Sequence, residues 1–176
     1  VTFIGKNVVS IGGLISIALT GLVGCATFTP ELQAQNSAPV EIALTESPAE
    51  LKNLADQGSA QAQLAYSFVL RYALNGESAD PNEAARYRAL ATQSRGSTTT
   101  AVYAPGALKM PGHTQLLTLP RYDINEAQAE MAEKCASALD KDADGGNVSA
   151  QLASGVCGGA QAFAKLKPLW ARATGH

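Results

Sequence analysis

Beyond residue 46 the apolar positions recur at helical spacing, and each run starts and stops at recognisable punctuation. Ser47-Pro48-Ala49-Glu50 reads as a capping box with Pro at the first helical position. Leu51, Leu54 and Ala55 then fall on one face, and Gly58 ends the run. A second helix is predicted from about Ala60 to Leu74, with Ala62, Leu64, Ala65, Phe68 and Tyr72 as its apolar stripe and Asn75-Gly76 as its stop. Asp80-Pro81-Asn82-Glu83 opens a third, carrying Ala84, Tyr87 and Ala91. Asp123-Ile124-Asn125-Glu126 opens a fourth, in which Ala127, Met131, Cys135 and Ala138 share a face, so that Cys135 points to the core. Gly145-Gly146 closes it, and Asn147 is placed to cap a short fifth helix through Leu152. A last helix, from about Ala160 to Arg172, is expected to kink at Pro168.

Between Ser94 and Tyr122 the period changes. Thr98-Thr99-Thr100-Ala101-Val102-Tyr103 and Thr114-Gln115-Leu116-Leu117-Thr118-Leu119 are rich in strand-forming residues, and Pro105-Gly106 and Pro111-Gly112 lie between them as turn signals. The pattern predicts a mainly α fold, with a β-hairpin or extended arm inserted at 95–122. A two-stranded hairpin alone is marginal in water. It must pack on the helices or await a partner, and Tyr103, Leu117 and Tyr122 are the candidate side chains for partner binding.

The first part of the chain is of another kind. Lys6 precedes an apolar run from Val8 to Leu22, which ends in Leu22-Val23-Gly24-Cys25. This tetrapeptide resembles the lipobox of bacterial lipoproteins, in which a peptidase cuts before the cysteine and a diacylglycerol is attached to its sulfur. The resemblance implies a signal peptide at 1–24 and lipidation at Cys25. It implies a cell-envelope protein held to the membrane by lipid, with Ala26 favouring the outer membrane, on the periplasmic side. An uncleaved membrane anchor is the competing reading, since Val8 to Phe28 nearly reaches the roughly 20 apolar residues a crossing needs. From Ala26 to about Pro39 no clear period is visible, so residues 25–45 are assigned to the lipidated cysteine and a flexible tether, and 46–176 to the helical domain.

Once Cys25 is lipidated, Cys135 and Cys157 remain. An even pair in an oxidising compartment suggests a disulfide, against the alternative of two buried free thiols. Cys-x-x-Cys spacing is absent, which disfavours a redox-active pair. The chain has 13 basic and 15 acidic residues, with no basic stripe to neutralise phosphates, which argues against nucleic acid. Lys165, Lys167 and Arg172 read as a solvated helix face. No metal or cofactor is expected, because His113 and His176 have no Cys, His or carboxylate at ligand spacing. No catalytic residue stands out either. Ser154-Gly155 lacks a nucleophile elbow, and Gly158-Gly159 lacks the Lys of a phosphate loop. Glu130 and Glu133 could in principle cleave glycan, but beside Lys134 they read as a solvated helix face.

One stretch carries a second resemblance. Leu54-Ala55-Asp56-Gln57-Gly58-Ser59-Ala60-Gln61-Ala62-Gln63-Leu64-Ala65 looks like a Sel1-like repeat, a relative of the tetratricopeptide repeat, and the match continues through Asp80, Ala84, Tyr87 and Ala91. The repeat-signature positions are Ala55, Gly58, Ala62, Leu64, Ala65, Asp80, Ala84, Tyr87 and Ala91. In that family small residues let paired helices approach and an aromatic fills the wedge between pairs. Ala143-Asp144-Gly145-Gly146-Asn147-Val148-Ser149-Ala150-Gln151-Leu152 is a second fragment, without the family's continuation. A generic Ala-rich helical hairpin would share this spacing. The resemblance implies a fold of antiparallel helix hairpins and a protein-interaction or accessory module with an envelope protein as partner. An envelope enzyme acting on peptidoglycan, or a structural component of an outer-membrane assembly, are the alternatives.

Overall fold

A computed structural model describes residues 30–106, 111–146, 148–149 and 155–175, with side chains from Ser37 onward. The described chain is mainly helical, with one two-stranded antiparallel sheet. The helices are α1 (Pro30–Thr45), α2 (Pro48–Asp56), α3 (Ala60–Tyr72), α4 (Pro81–Ala91), α5 (Glu126–Ala143) and α6 (Ala160–Thr174). A 3₁₀ turn at Leu74–Gly76 follows α3, residues 155–157 are helical, and the strands are β1 (Ser97–Ala104) and β2 (His113–Pro120). The lipobox with Cys25, the fifth helix predicted from Asn147, most of the second repeat fragment beyond Gly146, and His176 lie outside the described residues.

The tether assigned to 25–45 is corrected from Pro30 on. That segment is helical, and Val40, Ala43 and Leu44 are buried. Their i, i+3, i+4 spacing supplies a core face that the Ser, Pro, Gln and Asn around it obscured. Pro39 sits inside the helix and is itself buried. α1 packs against α3, α5 and α6 and is part of the single core they share. Asn75 Nδ2 donates to the Ala43 carbonyl at 3.0 Å, fixing its C-terminal half to the turn after α3.

α3 is the central helix. Every residue from Ala62 to Leu70 is buried, so the one-sided stripe expected there is instead a helix covered all round. No charge interrupts Ala60 to Leu70, which is the sequence condition for such burial. Two polar side chains inside this stretch are satisfied locally: Ser67 Oγ donates to Leu64 O, and Gln63 Nε2 donates to Ala55 O at 2.9 Å.

The helix ends follow their caps. Ser47, Ser59 and Asp80 accept hydrogen bonds from backbone N–H groups of the first turns of α2, α3 and α4. Glu83 does not reach back to Asp80; it pairs with Arg86. α5 begins two residues later than the Asp123 box suggests, at a reciprocal box between Asn125 and Gln128. α2 and α5 both end in Schellman geometry, with Ser59 N–H on Leu54 O at 3.1 Å and Gly146 N–H on Lys141 O at 2.7 Å. The Gly58 and Gly145 residues that make those turns have φ of +94° and +78°.

Two predicted faces shift. Leu54 is exposed while Leu51 and Ala55 are buried. On α5 the buried residues are Ala129, Ala132, Cys135, Ala136, Ala138 and Leu139; Ala127 is exposed and Met131 only partly buried. Cys135 does face the core, where it is bonded to Cys157, with Cα atoms 4.8 Å apart. α6 runs unbroken through Pro168 and buries Leu166 and Trp170. The Trp170 ring meets Tyr72 edge-on at 5.0 Å. Lys165–Glu41 and Lys167–Asp142 pairs tie α6 to α1 and α5 at the surface.

Candidate functional site

The hairpin is the one described element that contributes nothing to the core. β1 and β2 pair antiparallel in the register Ser97↔Pro120 through Ala104↔His113. Only Ala104 among their sixteen residues is even half-buried. Thr98, Thr100 and Val102 share one face with Leu117 and Leu119, while Thr99, Ala101 and Tyr103 share the other with Leu116.

This register separates two of the residues assigned to partner binding. Tyr103 (65% exposed) and Leu117 (42%) project from opposite faces of the hairpin, and Tyr122 (44%) lies past the end of β2. The three therefore do not form one patch. Strand periodicity of two decides the point, since positions 103 and 117 fall on different faces in this register. The neighbours missed were Leu116 (73%) beside Tyr103, and Val102 and Leu119 beside Leu117. Tyr103 also lies over Gly112, where a β-carbon would collide with its ring.

The root of the hairpin is held firmly. Arg95 N–H donates to Arg121 O at 2.8 Å and Arg121 N–H donates to Gly96 O at 2.9 Å, so two residues of one strand face one of the other. Gly96, at φ +112°, allows that bulge. Arg95 then reaches into the helices: its Nη2 donates to Gly58 O at 2.9 Å and to Gln63 Oε1 at 3.2 Å. Its Nε is 3.4 Å from an Asp123 carboxylate oxygen, close enough for an ion pair but without hydrogen-bond alignment. Sequence reasoning did not find Arg95 or Gln63. The available signal was a glutamine in the middle of an uncharged, fully buried stretch, which needs a partner for each end of its amide. A cavity of about 190 Å³ adjoins this root, lined by Pro39, Gln61, Leu64, Asp123, Ile124 and Gln128.

Arg95→Ala is expected to leave Gln63 Oε1 buried without its donor. The loss should be about 1–3 kcal/mol of stability, read from urea unfolding, with faster exchange at the amides of residues 95 and 121, the two donors of the root, than in the helices. Unchanged exchange at those two amides would show that Arg95 does not fasten the hairpin.

The repeat-signature residues lie where α2, α3 and α4 meet. Ala55, Ala62, Leu64, Ala65, Ala84, Tyr87 and Ala91 are all buried, Gly58 makes the α2–α3 turn and Asp80 caps α4. Tyr87 meets Tyr66 edge-on at 5.0 Å, and its hydroxyl donates to Asp56 at 2.6 Å. Lys52 beside Asp56, followed by that phenol, holds the Asp56 carboxyl below its ordinary range. Burial first, then the bond to Asp56, pushes the Tyr87 phenol up.

The carboxylates considered for glycan cleavage are engaged in ion pairs. Glu130 pairs with Lys134 at 2.8 Å, and Glu133 accepts from Arg88 at 2.8 Å with Arg71 at 3.7 Å. Arg88 also pairs with Glu126, whose carboxyl it holds below the ordinary range. His113 is exposed and paired with Gln115. Among the described residues no group of His, Cys, Asp and Glu could hold a metal ion, and no helix is long and apolar enough to cross a membrane. The chain matches no family model, no curated protein and no solved structure.

Proposed function

We propose that this chain is a cell-envelope lipoprotein, acylated at Cys25, whose helical domain displays the 97–120 hairpin to bind another envelope protein. The observation that carries the reading is the hairpin itself. Its strands expose Val102, Tyr103, Leu116, Leu117 and Leu119 while its root is bonded into the helices. Large exposed apolar side chains on a fixed support are what an interaction site needs. The Sel1-like reading of α2–α4 is supported by the buried alanines and by Tyr87, buried and edge-on to Tyr66. On this reading the helices are the mount and the hairpin the contact.

The test replaces residues 97–120 by a short Gly-Ser linker. Helicity and melting are expected to stay nearly unchanged, because the segment buries almost nothing and loop closure depends only weakly on length. Crosslinking to the envelope partner should be lost. Unfolding of the linker variant would make the hairpin part of the fold and defeat its assignment as a contact. In parallel, Cys25→Ser should abolish lipid labelling. A mature protein whose intact mass still includes residues 1–24 would end the lipoprotein part of the proposal.

A further inference from the structure

The hairpin's ladder determines which of its peptide groups are still unpaired. The Arg121 N–H bond to Gly96 O makes 96/121 a hydrogen-bonded position. Antiparallel ladders alternate. In the observed register 98/119, 100/117, 102/115 and 104/113 are then the mutually bonded pairs. Ser97, Thr99, Ala101 and Tyr103 turn their N–H and C=O groups outward along β1, and Thr114, Leu116, Thr118 and Pro120 do so along β2. The Thr99 and Thr118 hydroxyls, 3.4 Å apart, fit the closer approach of a non-bonded pair. Pro120 has no N–H, so the β2 edge is one donor short. The β1 edge is complete.

Natural sheets protect such edges with charges, prolines or short strands. β1 has none of these: residues 97–104 include no Asp, Glu, Lys, Arg or Pro, and the strand is 8 residues long. No helix covers it, and two strands alone are marginal in water.

We infer that β1 pairs antiparallel with β1 of a second copy of this chain, forming a four-stranded sheet in the order β2-β1-β1-β2. The outward positions are symmetric about Thr100. With a two-fold axis there, Ser97 of each copy faces Tyr103 of the other and Thr99 faces Ala101, so every outward N–H and C=O of both β1 strands is used. No like charges are opposed. A foreign strand would find no charge on this edge to select it, whereas a second copy matches it in both length and symmetry. The inference requires only the β1 edge. It leaves β2 and both apolar faces to the envelope partner and does not depend on acylation.

Cysteine crosslinking of the full chain tests it. At the axis, Thr100 lies opposite its own image with Cα atoms about 4.5 Å apart, within the disulfide range of about 4.4–6.8 Å. Thr98 is about 13 Å from its image at strand rise. Mild oxidation of Thr100→Cys should give a covalent dimer of twice the chain mass, and Thr98→Cys should give no covalent dimer. Ala101→Pro, which removes an outward N–H and no bond inside the hairpin, should abolish the Thr100→Cys dimer. Independently, the wild-type chain in detergent should sediment as a dimer and Thr100→Lys, which opposes like charges at the axis, as a monomer. Equal crosslinking at 98 and 100, indifference to Ala101→Pro, a crosslinked mass that includes another protein, or a monomeric wild type would each overturn the inference. Because the linker variant above is read on a different partner, either proposal can fail without the other.

Discussion

Replacing Cys135 and Cys157 together by alanine is expected to lower the free energy of unfolding by about 2–5 kcal/mol. The bond closes a separation of 22 residues, for which the loop-entropy account gives about 3 kcal/mol. Its position adds to that figure. Cys135 is in α5 and Cys157 lies three residues before the start of α6, and both are fully buried. The bond therefore seats the start of α6, whose other anchors are Leu166, Trp170 and the two surface pairs through Lys165 and Lys167. Exposed pairs of that kind contribute about 0–1 kcal/mol each. Urea unfolding with and without a reductant checks the point. Reductant should lower the wild-type midpoint and leave the double variant unmoved. A wild-type midpoint indifferent to reduction would mean that burial of Trp170 and Leu166 alone holds α6.

What was legible in the sequence was mostly local. Ser47 and Asp80 announce helix starts by offering a side-chain oxygen to orphan N–H groups, and Gly58 and Gly145 announce ends by tolerating a positive φ. These signals depend on a few adjacent residues. The strands were legible for the same reason, through β-branched runs bounded by Pro-Gly pairs. What was not legible depends on distant neighbours. Among the described side chains of α1 the large buried apolar ones are Val40 and Leu44, with Pro39 and Ala43 beside them, amid residues typical of tethers, and the helix forms because α3, α5 and α6 all offer it surface. Tertiary burial there overrides a weak local preference. The displaced face of α5 has the same origin: alanines surround that helix, so periodicity could not choose among them, and packing against α1 and α6 does.

The candidate site divides along the same line. That an exposed arm existed could be read from Thr98 to Leu119, but which side chains act together could not, because faces depend on register. One residue of slip would bring Tyr103 and Leu117 onto the same face. The register is fixed at the root by Arg95, Gly96 and Arg121, and Arg95 is positioned by Gln63, which precedes it by 32 residues. No local pattern reports a contact of that span.

Tyr87→Ala is expected to cost about 3–5 kcal/mol, the range for emptying a large aromatic site in a core. Tyr87 is fully buried, stands edge-on to Tyr66, and lies under the Arg86 guanidinium at 4.4 Å from its ring centre. Ala84 and Ala91, the other buried residues of its own helix at i−3 and i+4, are too small to refill the space. Tyr87→Phe separates ring from hydroxyl. It should cost about 1 kcal/mol, below the roughly 1.5–3 kcal/mol of a buried bond to a charge, because Asp56 is about half exposed. The phenylalanine variant also has a signature in pH. Asp56 titrates below its ordinary value in the fold, so its contribution is present above about pH 4 and is lost as pH falls through the lowered value. The phenol is pushed up, so its contribution is present below about pH 10 and is lost as pH rises past that. Tyr87→Phe should remove the share of the alkaline loss that Tyr87 contributes and only reduce the acid one, since Lys52 still holds Asp56. An alkaline limb unchanged in that variant would place its origin in Tyr66 or Tyr72, whose phenols burial also pushes up.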